Sequence, residues 1–76
     1  MRKNILMPAS MAGGKLTRWL KQVGDRVQPG DLVAEVESDK ASLEIESPYQ
    51  GTLVAIQVAE GTTDITEDQV LAIIEE

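Results

Sequence analysis

The hydrophobic residues of the chain fall into short patches with turn residues between them. Six patches of three to six residues lie at positions 5–7, 16–20, 32–36, 43–45, 53–58 and 70–74. The alternation that runs through the middle patches predicts that Leu32, Ala34 and Val36 point inward and Val33 outward. Glycines and prolines occupy the turns, as at 28–31 and 47–51, and leave segments too short for long helices. The pattern predicts an all-β chain.

The same pattern predicts the core of the domain. Eleven apolar side chains are expected to point mainly inward: Leu16, Val27, Leu32, Ala34, Val36, Leu43, Ile45, Leu53, Ile56, Val70 and Ile74. A length of 76 residues is near the lower limit for a chain that forms its own core. We therefore expect one domain over residues 1–76.

The two halves of the chain resemble each other. An offset of 37 residues places Gly14 on Gly51 and Gly24 on Gly61, and one inserted residue later 33–37 falls on 71–75. An offset of 40 residues places 5–8 on 45–48. Two copies are too few for a solenoid and indicate two interlocked halves about an approximate two-fold axis. The axis relates the junction at 38–41 to the chain ends, so we expect these two places at opposite ends of the molecule.

Composition excludes several kinds of chemistry. The chain has no Cys and no His, which rules out disulfides, zinc–thiolate sites and triads that need either residue. The net charge is −6 and the only aromatic residues are Trp19 and Tyr49, so no nucleic-acid partner is expected. No apolar run has the length of a membrane span, and the N-terminus lacks the apolar stretch of a signal peptide. These features predict a soluble intracellular protein without a membrane partner.

Lys40 is the candidate nucleophile in the most unusual setting. It lies at the tip of a predicted hairpin whose arms carry Glu37, Asp39, Glu44 and Glu46 on the outward side. A catalytic lysine needs burial or neighbouring cations that favour its neutral amine, whereas anions around an exposed turn favour the ammonium. Catalysis by Lys40 itself is therefore not expected, and a solvated lysine among acids is the simplest interpretation of these residues alone.

The motif around this lysine is similar to that of a known family. The segment 24–41 ends in Glu37-Ser38-Asp39-Lys40-Ala41 and resembles the lipoyl domains of 2-oxo acid dehydrogenase complexes, whose motif is Glu-Thr-Asp-Lys-Ala. Serine thus occupies the position of the family's threonine. A lone Asp-Lys-Ala would be a weak signal, but this resemblance extends over nearly the whole chain.

Further residues stand at the spacings of that family. Gly24 lies sixteen residues before the lysine and Gly51 eleven after it, and both fit tight turns that glycine makes at little steric cost. The opening segment 5–9 and the run 16–20 are most similar to lipoyl domains of the pyruvate type.

The resemblance implies a fold, a cofactor and a set of partners. The fold is a flattened barrel of two four-stranded antiparallel sheets, and lipoic acid is held in amide linkage by Lys40. Glu37, Asp39 and Ala41 are then the residues that the lipoate-attaching enzyme recognises. The domain is a monomer without catalytic residues of its own. It carries acyl groups between decarboxylase, acyltransferase and dihydrolipoyl dehydrogenase components, in the bacterial cytoplasm or the mitochondrial matrix.

The chain departs from the family pattern in two further places. The loop at residues 9–14 is a few residues shorter than in common pyruvate-type sequences, and the resemblance places this loop near the lysine, where it helps the decarboxylase to recognise its own domain. The segment 61–69 lacks a second turn glycine that many relatives have. The first departure bears on the choice of partner rather than on the modification.

Other interpretations of the same residues are open at this point. Biotin carriers share the fold and a hairpin lysine but typically flank it with methionines, where this chain has Asp39 and Ala41. Glycine-cleavage carriers are lipoylated but are longer and contain helices. An unmodified module that binds proteins would not need the Asp-Lys-Ala motif, and an enzyme would need catalytic groups. The lipoyl resemblance implies that the parent protein is an acyltransferase or a decarboxylase β subunit, and pyruvate is the favoured 2-oxo acid.

Overall fold

The computed structural model describes all 76 residues and contains seven β-strands. In chain order they are β1 (Arg2–Leu6), β2 (Lys15–Trp19), β3 (Arg26–Val27), β4 (Leu32–Glu37), β5 (Ser42–Glu46), β6 (Gly51–Ile56) and β7 (Val70–Glu75). They form two antiparallel sheets with the strand orders β1-β7-β6-β3 and β2-β4-β5. A 3-10 turn at Ala9–Met11 is the one helical segment, so the all-β prediction is confirmed. No helix has the length and hydrophobicity that crossing a membrane would require.

The second sheet has three strands where four were expected. The segment 61–65 lies beside β2, since the Leu16 N–H donates to the Thr62 carbonyl at 3.0 Å and the Gly61 N–H donates to the Leu16 carbonyl at 2.8 Å. An isolated bridge between Gly14 and Ile65 continues this pairing. Asp64 adopts a φ of +58°, which turns the chain out of the extended conformation. The pairing therefore does not develop into a fourth strand.

Apolar side chains from both sheets form one core of fifteen buried residues. Seven of the eleven predicted core residues are buried: Leu16, Val27, Ala34, Val36, Ile45, Leu53 and Ile74. Ile56 and Val70 are half-buried. The core also contains eight residues outside the prediction: Ile5, Met7, Met11, Val33, Val58, Ile65, Leu71 and Ala72. Several of these lie in loops, where alternation gives no signal.

A β-bulge in β4 reverses the predicted orientation of two residues. Leu32 pairs with Glu46 and Ala34 pairs with Ile45, so that Val33 is an extra residue on β4. A bulge of this kind changes the face that the following side chains take. Val33 is buried beside Ala34, whereas Leu32 is exposed. The prediction that Leu32 points inward and Val33 outward is wrong for this reason.

Leu43 is also exposed, which contradicts its predicted place in the core. It lies on β5, which pairs only with β4 and forms the edge of its sheet. Because no further strand covers this edge, 40% of Leu43 remains accessible to solvent. Alternation alone does not distinguish an edge strand from a central one.

The strand register confirms the approximate two-fold relation between the halves. The pairing of β2 with β4 skips Thr17, and the pairing of β6 with β7 skips Val54, which is the same position under the offset of 37 residues. The pairing of β4 with β5 skips Val33, and that of β1 with β7 skips Leu71. Both bulges of one half thus recur in the other half.

The two-fold relation extends to the chain ends. The Glu76 N–H donates to the Met1 carbonyl at 3.0 Å, as the Ser38 N–H donates to the Ala41 carbonyl at 2.7 Å. From the hairpin, β5 leads away through residues 47–50 to Gly51, which packs against the last residues of β7. The molecule is 33 Å long and 19 by 18 Å across. The hairpin and the termini therefore lie at opposite ends, as the repeat predicts.

One turn of the second half uses an aspartate where the first half uses glycine. Gly30 has a φ of +91°, and its two-fold equivalent Asp68 has a φ of +64°. The Gly30 N–H donates to the Ser47 carbonyl at 2.8 Å, and the Asp68 N–H donates to the Met7 carbonyl at 3.1 Å. Asp68 therefore fills the place of the second turn glycine that the sequence lacks, at the cost of a conformation unfavourable for a side chain.

Replacing Asp68 by glycine is expected to stabilise the domain by about 0.5 kcal/mol, because relief of the left-handed conformation exceeds the added entropy of the unfolded chain. Urea unfolding of both proteins measures the difference. The neighbouring exposed Glu67 has no positive φ, so Glu67→Gly carries only the entropic cost and should destabilise. A loss of stability in Asp68→Gly as large as that in Glu67→Gly would contradict the assignment.

Candidate functional site

The predicted hairpin is formed by β4 and β5, and the pair of Glu37 with Ser42 is the last one before the tip. Ser38 organises the four-residue tip between them. Its backbone N–H donates to the Ala41 carbonyl at 2.7 Å, and its hydroxyl lies 3.4 Å from the same carbonyl. The hydroxyl oxygen also accepts the Lys40 N–H at 3.4 Å. The main-chain bond closes the tip, and the hydroxyl adds two long contacts to it, a role that sequence reasoning did not predict for Ser38.

The side chain of Lys40 is exposed and has no partner within the chain. The protein contains two ion pairs, Arg2 with Glu75 and Arg18 with Glu35, and neither involves a residue of the tip. No hydrogen bond engages the Lys40 Nζ either, although Lys40 lies in an acidic part of the sequence. The amine at the tip is thus accessible to another molecule without the loss of an internal contact.

The predicted recognition residues are brought together around this amine. Asp39 and Ala41 flank Lys40 in the tip and are both exposed, and Glu37 is the exposed last residue of β4. Glu44 lies further along β5. The hairpin therefore carries exposed carboxylates on either side of its tip, and the shape of this surface is set by a short loop on a paired hairpin.

The loop before β2 lies against the end of the hairpin that carries the tip. A polar hollow of 260 Å³ is lined by Gly13 and Gly14 of that loop together with Ser38 and Asp39 of the tip. The backbone of Gly14 approaches the hairpin so closely that a Cβ there would lie 2.5 Å from the Glu37 carbonyl oxygen. Sequence reasoning singled out Gly14 only as a repeat position. The occurrence of glycine at both equivalent positions, Gly14 and Gly51, was the sequence feature that could have indicated this close approach.

The two predicted structural glycines act away from the tip. Gly24 lies in the turn before β3 with a φ of +99° and open space around it, as expected for a turn glycine. Gly51 is the first residue of β6, and a Cβ there would collide with the backbone carbonyl of Glu75. Gly51 is therefore required by a close approach of two strands rather than by a turn. It is the two-fold counterpart of Gly14.

Comparison with known proteins agrees with this geometry. The family model of biotin and lipoyl attachment domains, described as biotin-requiring enzyme, matches residues 4–74. The chain belongs to this biotin/lipoyl family. A solved member with 28% sequence identity, the lipoyl domain of the 2-oxoglutarate dehydrogenase complex from Azotobacter vinelandii, superposes with a TM-score of 0.78. The match covers 96% of this chain and 95% of that domain, so the flattened sandwich of the family is the fold of this protein.

Two curated members of the family show similarity along almost the whole chain. The acetyltransferase component of the pyruvate dehydrogenase complex from Rickettsia bellii is 40% identical over 73 residues, which are 92% of this chain. The pyruvate dehydrogenase E1 component subunit beta of Rhizobium meliloti is 40% identical over 77 residues, which are 97% of this chain. The chain spans 18% and 17% of the lengths of these two relatives. The similarity thus concerns one domain of larger proteins.

Proposed function

We propose that this protein is a lipoyl carrier domain and that Lys40 carries the lipoate in amide linkage. The observation that carries the proposal is the exposed, unpaired Lys40 amine at the tip of a hairpin in a chain of the biotin/lipoyl family. Such an amine suits a covalent group that must move between other proteins, because nothing in the domain restrains it. When bound, lipoate supplies a dithiolane that accepts an acyl group and reducing equivalents.

The residues of the chain hold and present the attachment point. Ser38 fixes the backbone of the tip, and Asp39 and Ala41 offer the flanking surface to the attaching enzyme. Formation of the amide removes the ammonium charge of Lys40, which takes the net charge from −6 to about −7 and leaves Asp39 as the one charged side chain of the tip. Reaction at the dithiolane then belongs to partner active sites, since the domain has no catalytic group of its own at the tip.

Lipoate is favoured over biotin for two reasons. The compared proteins are lipoyl domains or subunits of pyruvate dehydrogenase complexes. The three methionines of the chain are also far from Lys40 in sequence, and Met7 and Met11 are buried in the core. The lysine is flanked by Asp39 and Ala41 instead.

The parent protein is proposed to be a pyruvate dehydrogenase component, either the acetyltransferase or the decarboxylase β subunit, because both kinds occur among the relatives. The partners would then be the lipoate-attaching enzyme and the decarboxylase, acyltransferase and dihydrolipoyl dehydrogenase components of that complex. A domain tethered to the complex would hold its arm at a high effective concentration near each active site.

The proposal is tested by mass spectrometry of the unmodified domain after incubation with lipoate ligase, ATP and lipoic acid. One lipoyl adduct is expected, on the peptide that contains Lys40, and none with biotin ligase and biotin. The product is then offered to pyruvate and 2-oxoglutarate decarboxylases, with faster acylation expected from the pyruvate enzyme. Biotin uptake without lipoate uptake would overturn the carrier assignment, and faster acylation by the 2-oxoglutarate enzyme would overturn the choice of substrate.

Exchanging Asp39 and Lys40 is expected to lower the rate of lipoylation by about an order of magnitude or more, because the direction of each tip residue is fixed by the turn. The exchange keeps composition and charge and touches no core residue, so stability should change by less than about 0.5 kcal/mol. Lipoate incorporation is followed by mass spectrometry, and folding by circular dichroism. The control Asp39→Asn removes only the carboxylate. Equal rates for the parent and the exchanged domain would show that exposure of the amine is sufficient.

A further inference from the structure

A groove runs between the free edges of the two sheets, along β1 and β5. Its volume is 430 Å³. Ile5 and Ile45, which are two-fold equivalents, line it as buried residues, and the exposed parts of Leu6 and Leu43 border it. Leu6 is 43% accessible to solvent and Leu43 is 40% accessible. The half-buried ring of Tyr49 contributes a further apolar surface. The groove thus has an apolar floor between two strands that are two-fold equivalents, and nothing in the domain fills it.

Backbone groups of β5 face this groove without partners. The Ser47 N–H donates to the Asp31 carbonyl at 2.8 Å, and the Ser47 carbonyl accepts the Gly30 N–H at 2.8 Å, so both Ser47 groups point toward β4. Successive residues of an antiparallel strand present these groups to opposite sides. The N–H and carbonyl groups of Glu44 and Glu46 therefore point to the free edge.

The backbone of β1, on the other side of the groove, is arranged in the same way. The Met7 N–H donates to the Gln69 carbonyl at 2.9 Å, and the Met7 carbonyl accepts the Asp68 N–H at 3.1 Å. The backbone groups of Leu6 and Asn4 consequently face outward. Each border of the groove thus offers hydrogen-bonding groups at the spacing that an added strand requires.

The negative charge along the groove favours an occupant with basic side chains. Glu44 and Glu46 line it, both are exposed, and neither forms an ion pair. No Lys or Arg side chain lines it, and Lys3 lies over the Tyr49 ring at 5.7 Å from the ring centre. A second copy of the chain would bring further carboxylates against this border, which is unfavourable. A segment with basic side chains is complementary to it.

We propose that this groove binds an extended segment of a partner protein, which adds as a strand to β5 and carries apolar side chains alternating with Lys or Arg. The backbone groups of Glu44 and Glu46 pair with the segment, and its apolar side chains pack on Leu6 and Leu43. Its basic side chains meet the two carboxylates. Strand addition gives affinity through the main chain and specificity through alternate side chains.

Binding at β5 holds the partner beside the hairpin amine. The strand begins at Ser42, two residues after Lys40. Under the proposed function the partner is an enzyme that acts on the lipoyl arm, and the groove sets its position. The binding itself does not require modification of Lys40, so it is tested on the unmodified domain and stands or falls apart from the carrier function.

The test is a titration of the ¹⁵N-labelled, unmodified domain with the capped hexapeptide Lys-Leu-Lys-Val-Lys-Leu, followed by NMR. Saturable shifts are expected in the amides of residues 4–6 and 43–46. The peptide Glu-Leu-Glu-Val-Glu-Leu has the same length and apolar residues and should not bind. The peptide Lys-Leu-Lys-Pro-Lys-Leu keeps the charge but lacks a backbone donor, and should bind more weakly.

Domain variants separate the groove from general charge attraction. The double variant Glu44→Lys/Glu46→Lys should weaken binding about tenfold. The matched variant Glu67→Lys/Glu76→Lys makes the same charge change at exposed residues outside the groove and should change binding less than about twofold. Equal weakening by both variants would overturn the proposal, as would an absence of shifts or equal binding of the acidic peptide.

Two further outcomes would assign the groove to another occupant and overturn the proposal. Shifts of residues 4–6 and 43–46 that depend on the concentration of the domain alone would indicate a second copy. Shifts of these residues on lipoylation, with loss of peptide binding, would indicate that the domain's own arm occupies the groove.

Discussion

Lys40→Arg is expected to abolish lipoylation completely while the domain keeps its fold. Arginine preserves the positive charge, but its guanidinium is not acylated, because it is always protonated and lacks the amine nucleophile. Lys40 is exposed and has no ion pair or side-chain hydrogen bond to lose, so the stability should change by less than about 0.5 kcal/mol. Intact mass after incubation with lipoate ligase measures the loss, and circular dichroism measures the fold.

The other lysines provide the control for this result. Lys15 is exposed and pairs in register with Glu37, so it is close to the same hairpin, but it lies on β2 rather than at the tip. Lys15→Arg should therefore leave the extent of lipoylation unchanged. An adduct that persists in the Lys40→Arg protein would place the modification elsewhere and remove Lys40 from the proposed function.

Gly14→Ala is expected to destabilise the domain by about 3 kcal/mol, because the new methyl group would meet backbone atoms that have no room to move. The Cβ would lie 2.5 Å from the Glu37 carbonyl oxygen and 2.8 Å from the Met11 carbonyl oxygen. Relief of the first clash must displace the end of β4, where the hairpin begins. Lipoylation should therefore slow as stability falls, and urea unfolding and mass spectrometry measure the two effects on one protein.

The adjacent Gly13 provides a matched substitution. A Cβ there meets nothing within 4 Å, and only its φ of +85° opposes a side chain. Gly13→Ala should cost about 1 kcal/mol and leave the hairpin in place. Equal losses of stability from the two substitutions would mean that the close approach of Gly14 to Glu37 does not affect the stability of the domain.

Local pattern was sufficient for the strands, the symmetry and the hairpin that presents Lys40. Each of these depends on residues close together in sequence or on a repeat that the sequence displays directly. The position of Lys40 at a tip follows from alternation on both arms and a short polar junction. Its proposed role as the lipoate attachment point rests on resemblance to a family rather than on physics, since a lone exposed lysine carries no such information.

The features that were missed depend on pairing between distant residues. The bulge at Val33 depends on how β4 pairs in register with β5, and no residue near Val33 in the sequence predicts it. The exposure of Leu43 depends on the strand order, which leaves β5 at an edge. The missing fourth strand depends on the conformation of Asp64, at the place where the second half has its inserted residue. Alternation describes the faces of a strand, but these features depend on which strands are neighbours.

The bond between Glu76 and Met1 has a consequence for how the chain could be connected. It matches the bond between Ser38 and Ala41. Glu76 and Met1 therefore stand where Ser38 and Ala41 stand in the hairpin tip, without the two residues that correspond to Asp39 and Lys40. Joining Glu76 to Met1 through the dipeptide Asp-Lys would close a ring with a second tip. A circular permutant opened within 57–60 would then present two tip lysines, one at each end of a body 33 Å long.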